Sequence, residues 1–319
     1  MVHPVVSMVA QRFALGLLLL FAASVLIFVG TQILPGDVAQ SILGQSATPQ
    51  TLANLREQLG LNEPALTRYF TWLFGVLQGD LGTALSNGQP IAPALGGRLA
   101  NTMFLAATAA VIAVPLAIIL GLLSVRYRNR WPDKLISTVT LATISVPEFL
   151  VGYIVVYFLS VQFRVFPSLA SVYSGMSFGE MLYAISLPVI VLVLAVLGHM
   201  MRMTRAAILN VMQSAYVETA ELKGLRPFTI IARHALPNAV APVVNVVMIN
   251  LAYLVVGVVV VEVVFVYPGM GQYLVDHVAK RDVPVVQACG LVFAGVYIGL
   301  NLIADIVSIL ANPRLRHPK

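Results

Sequence analysis

Residues 99–125 read LANTMFLAATAAVIAVPLAIILGLLSV, an apolar run bounded by Arg98 and Arg126 with no ionisable side chain between them. At about 1.5 Å per helical residue it is long enough to cross the roughly 30 Å of hydrocarbon in a bilayer. Inside hydrocarbon each backbone N–H and C=O must find a partner within the protein, and a helix satisfies this within one segment. Comparable runs recur along the chain. Residues 13–36 and 181–201 carry no charge, whereas 135–163 carry only Glu148, 234–275 only Glu262 and 283–313 only Asp305. Six membrane helices follow, near 12–34, 100–125, 135–161, 184–204, 239–265 and 287–311. The third stretch reads as one tilted helix. The expected fold is all-α and polytopic.

Composition agrees. The chain has 319 residues, 59% apolar and only 10% charged, with a mean hydropathy of +0.90. A soluble domain carries roughly 25% charged residues, so a soluble enzyme, a disordered chain and a nucleic-acid-binding protein are excluded. The net charge of +6 is therefore read against a membrane. A single cysteine, Cys289, leaves no intrachain disulfide and no cysteine zinc cluster. The first run exceeds the apolar core of a signal peptide, and Leu34-Pro35-Gly36 ends it without a cleavage pattern. It reads as an uncleaved first helix.

Six spans put both termini on one side. With the N-terminus inside, thirteen of the nineteen basic residues fall on inner segments. They include Arg126, Arg128, Arg130 and Lys134, whereas the outer ones are Arg56, Arg68, Arg98, Arg164, Lys280 and Arg281. The positive-inside rule then predicts cytosolic termini. Arg126, Arg128 and Arg130 read as a topology anchor. His199, Arg202 and Arg205 read as side chains snorkelling to the inner surface.

Two loops carry further pattern. In the outer loop, 35–99, Thr48-Pro49 reads as an N-cap with proline at the first helical position, and Gly60 as a C-cap glycine. A second helix from about Asn62 aligns Leu66, Tyr69, Phe70, Leu73, Phe74 and Leu77 in one stripe, ended by Gly79-Asp80-Leu81-Gly82. The stripe either packs on the chain's own outer helix ends or forms an external docking platform. In the inner loop, one short helix covers about Ser214–Lys223 and stops at Gly224. A second starts at Pro227 and carries Phe228, Ile230, Ile231 and Leu236 to Pro237. Such a helix–turn–helix serves either as a rigid knob for a partner's groove or as an amphipathic connector at the interface.

This inner loop resembles a known motif. Glu218-Thr219-Ala220, then Gly224, then His234-Ala235-Leu236-Pro237 is similar to the E-A-A-x3-G-x9-I-x-L-P loop of ABC-importer permeases, with Thr219 and His234 as departures. Further segments resemble the dipeptide/oligopeptide/nickel branch. They are Leu59-Gly60-Leu61-Asn62-Glu63-Pro64, Gly79-Asp80-Leu81-Gly82, Ser145-Val146-Pro147-Glu148-Phe149 and Glu262-Val263-Val264-Phe265 with Pro268-Gly269-Met270-Gly271. Arg281-Asp282-Val283-Pro284-Val285-Val286-Gln287, Asn301-Leu302-Ile303-Ala304-Asp305 and Asn312-Pro313-Arg314 complete the set, with Asn312 in place of aspartate. Arg98-Leu99-Ala100-Asn101-Thr102 lacks the branch's proline at position 100.

The resemblance implies a type I ABC importer permease with six membrane helices and a helical periplasmic loop after the first, in a bacterial inner membrane. It divides the chain into 1–99 (tail, first helix, periplasmic loop), 100–311 (five-helix permease core with the coupling loop at 213–238) and a tail at 312–319. Implied partners are a second homologous permease, two cytosolic ATP-binding subunits, a periplasmic or extracellular substrate-binding protein and membrane lipid, with no nucleic acid. The chain has no G-x-x-x-x-G-K-[ST] loop, so ATP and magnesium belong to the partner ATPases, and the chain holds no cofactor and is not an enzyme. By resemblance Glu218, Thr219, Ala220, Gly224, Leu236 and Pro237 form the ATPase-coupling segment. The implied cargo is a di- or oligopeptide, with nickel chelates, glutathione or oligosaccharides as alternatives.

Three carboxylates in the spans are candidates for the translocation path or gate, since each costs about 2.5–3.5 kcal/mol at a bilayer centre. Glu148 reads as a gate residue beside the kink at Pro147, or as a cap or interhelical hydrogen-bonding group. Glu262, near the outer end of its span, reads as a gate or an anchor and is expected to stay solvated. Asp305 reads as a partner for a basic inner residue. A membrane-embedded enzyme would need a nucleophile–base spacing, which is not seen. A secondary transporter would show internal repeats, which are also not seen.

Overall fold

The computed structural model describes residues 4–33, 38–173 and 175–311. In chain order the helices are α1 (Pro4–Ile33), α2 (Val38–Leu43), α3 (Pro49–Gln58), α4 (Ala65–Leu77), α5 (Ile91–Arg126), α6 (Trp131–Ser145), α7 (Glu148–Val155) and α8 (Phe178–Ala184). They continue with α9 (Ser186–Met212), α10 (Ala215–Leu222), α11 (Pro227–Thr229), α12 (Leu236–Val264), α13 (Met270–Ala279) and α14 (Val283–Ala311). Two π-helical stretches, Val156–Gln162 and Ile230–Ala235, extend α7 and join α11 to α12. Among the described residues the extended pairing is one isolated bridge between Thr83 and Pro90.

Five helices are long and apolar enough to span a membrane: Ser7–Ile33 of α1, α5, α9, Arg233–Val264 and Val283–Val307. The third predicted span is not one tilted helix. It is the pair Trp131–Ser145 and Glu148–Gln162, bent by 105°, and counted as one crossing it completes six. The cause is local. Pro147 has no N–H to give, and its ring disfavours helical backbone at the residue before it. Val146 takes φ −100°, ψ 130° and Pro147 takes φ −57°, ψ 139°, so two extended residues separate the helices. Spans also begin earlier than the apolar runs, α1 at Pro4 and α5 at Ile91. The breaker Leu34-Pro35-Gly36 and the segment Asn312-Pro313-Arg314 lie outside the described residues.

The chain forms two compact units, Met103–Tyr267 with the segments at the chain ends and Leu15–Thr102 with Pro268–Ile298. In the first, α9 is central: 67% of its apolar window is buried, against 11% for α1. Leu197, Met200 and Met201 of α9 pack with Ala117 of α5 and Val246 of α12. Closer to the coupling loop, Ile208 joins Val125, Ile231, Ala239 and Val243. The approach of α6 to α9 depends on Gly198. A Cβ there would stand 2.6 Å from the Thr140 carbonyl oxygen and 2.7 Å from Ile144 Cγ1.

Asp133, the acidic residue in the first turn of α6, ties three helices together. Arg205 Nη2 of α9 donates to its Oδ2 at 2.9 Å, and Arg205 Nε donates to Ser124 Oγ of α5 at 2.8 Å. Ser124 Oγ donates to Asp133 Oδ1. The same carboxylate accepts the N–H of Asn129 at 2.9 Å, and Asn129 sits at φ 64°, a conformation asparagine tolerates. Arg205 is thus an interhelical tie and not the snorkelling side chain predicted from sequence.

In the second unit, Ile91 and Leu95 pack with Met270, Tyr273, Val285, Ala288 and Cys289. Two segments quoted separately above meet here. Asn101 Nδ2 donates to the Pro268 carbonyl at 2.9 Å, and Thr102 Oγ1 accepts the Met270 N–H at 2.8 Å. Buried Asp282 accepts the N–H groups of Leu85 and Ser86 at 3.1 and 2.9 Å. Thr48 caps α3 in a reciprocal capping box with Thr51, and Gly60 follows its end at φ 64°. α4 starts at Ala65, three residues later than expected, because Pro64 takes the N-cap with ψ 139° and disfavours helical backbone at the residue before it. Of its predicted stripe only Tyr69 is buried; Leu66, Phe70, Phe74 and Leu77 point outward.

Three outcomes are expected. Gly198→Leu should lower the thermal midpoint of the purified protein through overpacking of about 1–3 kcal/mol or more. Gly299→Ala, with nothing within 4 Å of the added Cβ, should leave it unchanged or raise it slightly. Asp133→Ala should cost about 3 kcal/mol by stranding Arg205, and adding Arg205→Ala should recover part of that in a double-mutant cycle.

Candidate coupling site

The predicted coupling segment begins where α9 ends. Ser214, with an extended backbone (ψ 147°), is the N-cap of α10 and its carbonyl accepts the Val217 N–H at 2.9 Å. α10 stands on two residues. Val217 and Ala220, three apart on one face, are 0% and 5% exposed and pack on Ile230. The rest of the helix is bare: Glu218 and Thr219 are exposed, as are Tyr216 and Leu222. Thr219 Oγ1 returns a hydrogen bond to the Ala215 carbonyl at 2.9 Å. The hydroxyl that replaces the motif's usual alanine is therefore satisfied within the helix.

Gly224 ends α10. It sits at φ 74°, its N–H donates to the Glu221 carbonyl at 2.9 Å, and the Leu225 N–H donates to the Ala220 carbonyl at 3.3 Å. These two bonds are the Schellman pattern, which needs a left-handed residue at this position. No atom lies within 4 Å of a Cβ built on Gly224. Backbone conformation, not space, selects glycine here.

The second half differs from the predicted helix ending at Pro237. Pro227 does open a helical turn, but α11 passes through the π-helical stretch Ile230–Ala235 straight into α12. Leu236, half-buried, and Pro237, exposed, therefore start a membrane helix. The wider register accommodates a proline that would otherwise meet the carbonyl four residues back. Asn238 Nδ2 donates to the His234 carbonyl at 2.8 Å, covering one acceptor at the junction. Leu225 and Phe228 remain exposed beside Leu222, so the tip presents an apolar surface among Glu218, Glu221, Lys223 and Arg226.

The three span carboxylates do not converge. Glu148 opens α7 half-buried, and a Cβ on Gly257 of α12 would stand 3.4 Å from each of its carboxylate oxygens. Glu262 is fully buried, so the expectation that it stays solvated fails; nearby Phe265 and Tyr267 are also 0% exposed. Burial, and then the Glu262 carboxylate, push the Tyr267 hydroxyl above its usual range. The adjoining Val266 holds φ 52°, an unfavourable conformation for a β-branched residue. Asp305 pairs with Arg12 Nη1 at 3.1 Å, a surface bridge at 39% and 52% side-chain exposure. Among the described residues no three His, Cys, Asp or Glu side chains gather as a metal site.

In the sequence, Glu218, Gly224 and Pro237 are singled out by the motif resemblance. Ile230 and Ile231 were placed on the helix, but the division of labour between them had no one-dimensional signature. Asp133 was missed, although an acidic residue in a first helical turn is a readable feature.

Comparison with known proteins identifies the family. Residues 113–317 match the family described as binding-protein-dependent transport system inner membrane component, and residues 5–120 match the N-terminal family of the same membrane components. A probable peptide ABC transporter permease of Sinorhizobium fredii is 34% identical over 92% of this chain and 94% of its own. The glutathione transport system permease of Escherichia coli is 35% identical over 93% and 95%. The inward-facing MetNI methionine ABC transporter superposes with a TM-score of 0.50 at 17% identity, over 70% of this chain and 96% of the matched chain, a likeness of fold. The chain belongs to the binding-protein-dependent transport system inner-membrane components and is an ABC-importer permease subunit.

Proposed function

We propose that this permease forms half of the translocation path for di- or oligopeptides, and that residues 213–238 seat on a separate cytosolic ATPase. The carrying observation is the build of the loop. α10 is braced through buried Val217 and Ala220 and exposes Tyr216 and Leu222, the turn after it exposes Leu225 and Phe228, and from Pro227 the chain is helical without a break into α12. A small apolar tip ringed by charge suits a groove on a partner subunit. Closure of two ATPases around ATP would then shift the tip, and the shift would reach α9 and α12. A second homologous permease, a substrate-delivering binding protein and cytosolic termini complete the reading, the last supported by the basic residues near the ends of the spans. Peptide cargo is supported by the Sinorhizobium relative. Glutathione is the second reading, supported by the Escherichia coli relative, and is itself a small peptide.

Gly224 offers the sharpest handle. Gly224→Val forces a β-branched residue into left-handed backbone at a cost of about 1–2 kcal/mol or more, whereas asparagine tolerates it. In proteoliposomes carrying the assembled transporter, Gly224→Val should retain delivery of the loaded binding protein and ATP hydrolysis but lose uptake. Gly224→Asn should keep most of the uptake. Full transport by Gly224→Val would refute the coupling role. Competing labelled dipeptide against glutathione in the same vesicles separates the two cargo readings.

A further inference from the structure

α4 lies beside the last turns of α1, not beyond them. Tyr69 Oη and Ser24 Oγ are hydrogen-bonded at 2.8 Å, and the Tyr69 ring meets Phe28 edge-on at 5.3 Å. Trp72 stands 6.2 Å from Phe28, and Arg68 Nη2 donates to Gln32 Oε1 at 2.8 Å. Ser24 and Gln32 are about 12 Å apart along the helix at 1.5 Å per residue. α4 therefore occupies the depth of the final two turns of a membrane span. Its single cation, Arg68, is level with the end of that span.

The two sides of α4 meet different surroundings. Arg68, Thr71, Trp72 and Gly75 border a cavity of about 750 Å³ whose walls include Asp80 and Arg281. On the other side Leu66, Phe70, Phe74 and Leu77 are 73%, 49%, 60% and 73% exposed, and Thr67 beside them is exposed too. The outward residues of α1 at this depth are bare as well, Leu26 at 72% and Ile33 at 74%. A bare arc without charge beside a span's own bare face, backed by a polar cavity, is the pattern of a helix lying in a bilayer interface.

We propose that α4 is embedded in the leaflet at which α1 ends, with Leu66, Phe70, Phe74 and Leu77 against phospholipid acyl chains and the cavity side toward headgroups and water. The occupant is lipid because the arc lies at the depth of α1's own exposed apolar residues, Leu26 and Ile33, within a span's final turns. The segment after the first span is then a membrane-seated element whose height is set by the bilayer, rather than a solvated platform. The proposal rests on α1 being a membrane span.

The test uses the full chain with its co-expressed partner subunits in phosphatidylethanolamine/phosphatidylglycerol nanodiscs. Leu66→Cys, Phe70→Cys, Phe74→Cys and Leu77→Cys, each with Cys289→Ser, are spin-labelled and probed with oxygen and a water-soluble nickel chelate. Leu26→Cys gives the lipid reference and Glu57→Cys, on exposed α3, the aqueous one. The four α4 labels should match Leu26→Cys, with an oxygen-to-nickel collision ratio several-fold above that of Glu57→Cys. Nickel access like that at Glu57→Cys overturns the proposal in favour of a solvated platform. Low access to both reagents overturns it in favour of a protein cover. Nickel access at Leu26→Cys as well places the failure in the span assignment of α1. Phe74→Trp with Trp72→Phe and Trp131→Phe gives an independent reading. Quenching by brominated phospholipid should exceed quenching by acrylamide, and the reverse order contradicts the proposal.

Discussion

Ile230 and Ile231, adjacent in sequence, are buried in two different clusters, and this shared anchorage governs the coupling segment. Ile230 packs with Val217 and Ala220 of α10, and Ile231 packs with Ile208 of α9 and Ala239 and Val243 of α12. Burying an isoleucine stabilises by roughly 1.5–3 kcal/mol, so the pair outweighs thermal loosening of a single short helix. An eight-residue helix is marginal alone. Here it is locked at its foot by an isoleucine whose neighbour is locked into the membrane core. The Schellman turn at Gly224 fixes the direction in which the chain leaves α10. After that turn, the π-helical stretch carries α11 into α12 without a loop.

The core that receives this segment is organised around α9. Gly198 lets α6 approach it to contact distance, and Asp133 with Arg205 and Ser124 fixes the end of that crossing. On the far side of the break at Pro147, Glu148 rests against Gly257 of α12. Along α12, Gly257 faces Glu148 of α7, buried Glu262 follows nearer the helix end, and Val266, at positive φ, lies just past it. Glu148 of α7 and Glu262 both lie along the course of α12, whereas Asp305 of α14 pairs with Arg12 of α1, so the carboxylates do not form one site. Strain at a β-branched residue next to a buried charge persists only where surrounding packing over-determines it.

Much of this was legible in one dimension. Charge-free runs located the spans because hydrocarbon tolerates few ions, and glycine at 224 with proline at 227 located the turn because each restricts φ in its own way. The resemblance in the segment 213–238 pointed to the family that the comparisons show. What escaped depended on backbone direction or on distant pairing. Hydropathy over 135–163 is blind to the 105° bend, because Pro147 changes direction without changing polarity. Asp133 and Arg205 are 72 residues apart, so their bond had no local pattern. The stripe on α4 was recognised, but periodicity shows that a face is apolar and not which part of it the protein covers. Among the described residues, Pro237 reads as a helix end by composition and is a helix start by register.

The central claim is that α10 and the start of α12 move as one rigid piece. It is tested most directly by a spin–spin distance between Leu222→Cys and Val240→Cys, both exposed, with Cys289→Ser, in the assembled transporter. A rigid piece predicts the same narrow distance distribution in the nucleotide-free and ATP-trapped states. A distribution that shifts or broadens on ATP binding would make the segment a hinge and contradict the account.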